Sequence, residues 1–143
     1  MSNEDPYDLG RFVAAQDEGR TYELALGEIR DGHKSGHWMW FVFPQIAGLG
    51  RSVTSRHFAI SCVEEARAYV GHVVLGPRLL ECAASLLQVA GRSAEEIFGT
   101  VDAQKLRSSM TLFMRAAPQE VVFAEVLTRF FDGQADPATE ERI

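Results

Sequence analysis

Apolar residues fall at helical spacing along most of this chain, in runs that start at capping side chains and stop at glycine or proline. Leu9, Phe12 and Val13 share one face of 7–16, weakened by Gly10. Tyr22, Leu26 and Ile29 share another, and Gly32 should end that helix. Ser61 with Glu64 reads as a capping box, in which each side chain satisfies the other's free backbone amide. Val63, Ala66 and Val70 form the expected buried stripe behind it, closed by Gly71.

Pro77 sits where a first helical residue is favoured, because its missing donor would have been unpaired anyway. Leu79, Leu80, Ala83, Leu86, Leu87 and Ala90 follow at core spacing before Gly91. Ser93 and Glu96 form a second capping box leading to Ile97 and Phe98. Asp102 is placed to cap a helix with the stripe Leu106, Met110 and Phe113, stopped by Pro118. A last helix carries Val122, Phe123, Val126, Leu127 and Phe130 and ends at Gly133.

The continuous aromatic and β-branched run at 38–46 reads equally as a buried strand or a buried helical segment. One strand cannot form a sheet alone, and no second strong strand pattern exists. The expectation is a mainly α, single compact multi-helix domain over 1–143, with at most a minor strand element near 38–46. The polar ends at about 1–6 and 134–143 should fray unless docked.

Composition narrows the class. The chain has 143 residues, 46% hydrophobic and 24% charged, as in a globular protein with a real core. Its net charge is −6, with −4 in positions 1–18, −3 in positions 132–143 and +1 between. That balance lacks the basic footprint of a general nucleic-acid binder. The acidic start has no apolar core of a secretory signal, and no apolar run approaches a membrane span. Cys62 and Cys82 sit in helical patterns without a metal-ligand partner, so they read as free thiols in a reducing cytoplasm. No cofactor is called for, and nothing in the sequence fixes the oligomeric state.

The chemistry concentrates at 37–55, HWMWFVFPQIAGLGRSVTS, which places both tryptophans before a glycine-rich, cationic, hydroxyl-rich turn. Large aromatics supply pocket walls, and a Gly-x-Gly turn lets backbone amides approach a ligand. In GLGRS (48–52), Arg51 and Ser52 would face a phosphate or carboxylate; the plain alternative is a turn with a cap for the next helix. The loop lacks the Gly-Lys-Ser/Thr ending of a phosphate-binding P-loop and the third glycine of a dinucleotide fingerprint. In KLRSSMT (105–111), Leu106 and Met110 face the core, leaving Lys105, Arg107, Ser108, Ser109 and Thr111 around the surface. That surface either completes an anion site with GLGRS or is a solvated helix face. His33 and His37 are four apart, but Gly32 and Gly36 argue against a helix there and no third ligand follows, so no metal site is expected. His37, beside Trp38, suits general acid/base work or hydrogen bonding to a polar ligand.

These stretches carry a resemblance. RFVAAQ (11–16), HWMWFVFPQ (37–45) with GLGRS, FAI (58–60), VLGPRL (74–79), IFGTVDAQKLRSSMTLF (97–113) and FFDGQADPAT (130–139) are similar to the bacterial and fungal family numbered 1810 among the domains of unknown function. The resemblance implies a mainly α-helical fold and supplies no activity. Gly36 stands where that family's pattern has a serine, Val73 where His-Pro is usual, and the tail ends TEERI. A calpastatin-like label sometimes given to members does not suit a compact helical domain.

Taken together, the expected function is binding or hydrolysis of a small anionic, nucleotide-like metabolite in an aromatic and cationic pocket. Trp38 or Trp40 would stack on a ring; Arg51, Ser52, Lys105, Arg107, Ser108 and Ser109 would hold the anion; His37 and Gln45 would orient the reacting end. The alternative is a non-catalytic protein-interaction domain in which the same motifs are core, caps and turns.

Overall fold

The computed structural model describes residues 5–143, of which 64% are helical. In chain order the helices are α1 (Gly10–Asp17), α2 (Thr21–Asp31), α3 (Met39–Val42), α4 (Val53–His57), α5 (Val63–Gly71), α6 (Leu75–Leu87), α7 (Ala94–Phe98), α8 (Thr100–Ala116), α9 (Val122–Phe131) and α10 (Pro137–Glu140). A 3-10 turn at Glu18–Arg20 links the first two. Some capping signals act as expected, but α6 begins at Leu75, two residues before Pro77, and ends at Leu87, before Gly91. Ser93 and Glu96 close a reciprocal box at α7, and Gly32 takes a left-handed conformation that ends α2.

The axis of the fold is α8, against which α5, α7, α9 and α10 all pack. A second layer is built by α6, which bridges α2, α5 and α9, while α1 lies against α2 and α3. Leu79, Leu86, Leu106, Phe113, Phe123 and Leu127 are buried in one continuous core, as their spacing requires. Each such side chain contributes about 1.5–3 kcal/mol by leaving water. Among the described residues no single helix is long and apolar enough to cross a membrane.

The segment at 38–46 resolves into both elements that its composition allows. Met39–Val42 makes one helical turn, and the chain then extends to a lone parallel bridge between Ile46 and Ile60. There the Ala47 amide donates to the Ile60 carbonyl and the Ile60 amide to the Gln45 carbonyl, both at 2.8 Å.

Three further expectations need correction. The stripe of α5 is Glu65, Ala66 and Tyr69 rather than Val63, Ala66 and Val70, because Arg11 draws Glu65 inward across 3.0 Å. Ser61 accordingly pairs with Glu65 instead of Glu64, donating its hydroxyl at 2.7 Å and its amide at 2.8 Å. Asp102 lies inside α8, which starts at Thr100, and is held in ion pairs. The polar end at 134–143 meets the condition for order: α10 docks on α8 through the buried Asp136.

Candidate functional site

The single turn of α3 sets two tryptophans to different tasks. Trp38 is 1% exposed, packs against Phe43 and Phe98, and donates its indole N–H to Glu28 at 2.8 Å. It is a core residue, which corrects its expected role on a ligand. Trp40, two residues on, is half-buried and lines a surface cleft. Gln45 and the glycine turn continue that wall. Gly50 fits there because a Cβ at this position would lie 2.6 Å from Ser55.

The opposite wall is α8. Thr100, Val101, Gln104, Lys105 and Ser108 follow one face of the helix into the cleft, and Asp136 with Ala138 closes it from the tail. The Lys105 ammonium stands 4.0 Å from the centre of the Trp40 ring. It also pairs with Asp102 at 3.0 Å, while Lys34 reaches the other oxygen of Asp102 at 2.7 Å. Burial opposes ionisation of Asp102, but the hydrogen bonds and charges of Lys34 and Lys105 outweigh it and hold its carboxyl below the ordinary value. Two ammoniums thus share one carboxylate, and the Asp136 carboxylate on the floor of the same cleft balances the remaining positive charge.

Asp136 organises the floor. It accepts from Gln104 at 3.0 Å, from the Ser108 hydroxyl at 2.9 Å, and from the Thr139 hydroxyl and amide at 2.6 and 3.2 Å. Its own amide donates to the Thr111 hydroxyl at 2.9 Å. Arg107 donates to the carbonyls of Gln134 and Ala135 at 3.0 and 2.8 Å. The hydroxyl-rich face of KLRSSMT is therefore buried and serves as the dock for the tail.

The cleft encloses about 440 Å³. A smaller cavity of about 180 Å³ adjoins it toward α4 and shares Trp40, Gln45 and Gly50 with it. GLGRS and KLRSSMT do meet across the larger space, through Leu49 and Gly50 on one side and Lys105 and Ser108 on the other. Of the residues expected at the site, Trp40, Gln45, Lys105 and Ser108 line this cleft. The other six do not. His37 and Arg51 are exposed outside it, and Ser52 caps α4 by accepting from the Ser55 amide at 3.0 Å. Trp38 belongs to the core, Arg107 holds the tail, and Ser109 is fully buried.

Gln104 and Asp136 were not foreseen as site residues. A signal for Asp136 exists in Asp-Pro-Ala-Thr, where an Asp cap precedes a proline at the first helical position. Nothing local marks Gln104. Chemically, the cleft offers an indole, a cation, two carboxamides and the hydroxyl of Thr100. Among the described residues His37 lies outside the cleft, and both oxygens of Asp136 accept from donors.

The chain belongs to the family described as "Protein of unknown function (DUF1810)", whose model matches residues 6–143. Its fold is similar to the crystal structure of the conserved hypothetical protein Rv1873 from Mycobacterium tuberculosis. The two are 50% identical over 96% of each chain, with a TM-score of 0.93. No curated protein matches the chain.

Proposed function

We propose that this protein binds a small anionic, nucleotide-like metabolite in the cleft between Trp40 and α8, with binding rather than hydrolysis as its role. The observation that carries the reading is the Lys105 ammonium over the Trp40 ring at 4.0 Å on the cleft wall. The Trp40 indole, which also lines the adjoining smaller cavity, suits a flat ring, and the Lys105 ammonium beside it suits a phosphate. Leu49, Val101 and Ala138 supply apolar walls around these polar points, the usual balance of a small-molecule site.

Calorimetric titration with nucleoside monophosphates and with their phosphate-free nucleosides tests it. Lys105→Ala should weaken the monophosphates by about 1.5–3 kcal/mol and leave the nucleosides nearly unchanged. Trp40→Ala should weaken both. If no monophosphate binds the parent protein at millimolar concentration, the reading is wrong. The interaction-domain alternative then takes its place, which the capping role of Ser52 and the docking role of Arg107 and Ser108 already suit.

A further inference from the structure

Gln45 stands where the two cavities meet and lines both of them. Other glutamines near the core are engaged. Gln16 donates to the Phe41 carbonyl at 2.7 Å and to Tyr69, and Gln104 donates to Asp136. The Gln45 carboxamide has no hydrogen-bond partner among the described residues, although the residue is half-buried and its backbone carbonyl is fixed by Ile60. A positioned carboxamide carries a donor and an acceptor side by side, which matches the adjacent donor and acceptor on the edge of a nucleobase.

The smaller cavity, of about 180 Å³, is where such an edge would sit. Its walls include the small residues Ala47, Gly48, Gly50 and Ala59 together with Trp40. Arg56 lines it too, with its guanidinium free of any ion pair among the described residues. Lys105, by contrast, lines only the larger cleft. The smaller cavity and the Lys105 ammonium of the larger cleft thus adjoin one shared indole.

Resting on the proposed binding role, we infer that Gln45 is the specificity-determining residue: it reads the hydrogen-bonding edge of a nucleobase held in the smaller cavity, while the phosphate stays on Lys105. A site built around hydrogen bonds to its ligand rejects an analogue that lacks them, because its own polar group is left unpaired.

The test compares AMP and GMP with purine riboside 5′-monophosphate, which keeps the ring system, sugar and phosphate but lacks the exocyclic group. AMP or GMP should bind the parent protein at least about tenfold more tightly than this analogue. Gln45→Leu should abolish that difference, and Gln45→Glu, which keeps the size but loses the amide donor, should reduce it. Both variants should retain the loss of affinity on Lys105→Ala. If the analogue binds the parent as tightly as AMP and GMP, or if the difference persists in Gln45→Leu, the role of Gln45 is overturned while the ring-and-anion reading stands. If none of the three nucleotides binds, both fall together.

Discussion

At the residue scale, neighbours of identical type have opposite fates. Ser108 and Ser109 are both buried, yet Ser108 bonds to Asp136 and to the Gln104 carbonyl, while the Ser109 hydroxyl has no partner among the described residues. A buried hydroxyl without a partner loses its hydration for nothing in return. Ser109→Ala should therefore leave stability unchanged or raise it by up to about 1 kcal/mol. Ser108→Ala should cost about 1–3 kcal/mol, since it removes a donor from a buried carboxylate. Urea unfolding of the two variants checks this; equal destabilisation by both would show that Ser109 does have a partner. Trp38 and Trp40 repeat the contrast, one held in the core by Glu28 and one presented to the cleft.

At the element scale, the joint between α5 and α6 depends on a missing side chain. The two helices meet at 90°. His72 sits at the corner, where its ring nitrogen accepts from the Val74 and Leu75 amides at 3.1 and 3.2 Å and caps the second helix. A Cβ on Gly76 would overlap the Val70 carbonyl oxygen, a backbone atom that cannot swing aside as a side chain would. Gly76→Ala should destabilise the protein by about 1–3 kcal/mol or more, the usual cost of overpacking. Gly71→Ala is the control. A Cβ there meets nothing within 4 Å, and the restricted unfolded chain favours the variant by up to about 1 kcal/mol. Thermal unfolding that ranks Gly76→Ala at or above Gly71→Ala would refute the close packing.

At the scale of the whole molecule, two carboxylates tie the loop before α3 to the helices on either side. Asp102 holds Lys34 from α8. Glu28, on α2, accepts from the Ser35 and Gly36 amides, both at 2.9 Å, and from the Trp38 indole. Burial opposes ionisation of Glu28, but those donors outweigh it, so its carboxyl also titrates below the ordinary value. With both folded values depressed, the unfolded chain binds protons more readily. The stabilisation is complete above the unfolded values of 4.5 and 3.8 and is lost as pH falls through the lower folded ones. The melting temperature should therefore be insensitive to these groups near pH 7 and fall steeply below about pH 4.5. Glu28→Gln and Asp102→Asn should flatten that acid limb. An unchanged limb in both variants would place the acid-sensitive groups elsewhere.

The sequence by itself determined the helical class, the box at Ser93 and Glu96, the stop at Gly32 and the core faces of α6, α8 and α9. These are local properties: a cap or an apolar stripe acts within one or two turns of its own helix. It also pointed to the aromatic and glycine segment that forms one wall of the cleft. The tertiary structure decided which side chains that wall shows to solvent and what stands opposite. α8 is surrounded by four helices, so Ser108, Thr111 and Arg107, which look like a solvated face, are drawn into docking the tail. Glu65 is buried only because Arg11, 54 positions earlier, comes to meet it. Asp102 leaves its expected cap for Lys34, and Asp136 lines the cleft only because the tail folds back on α8. Such pairings join residues far apart in the chain, and no periodicity records them, because each depends on where separate helices finally pack.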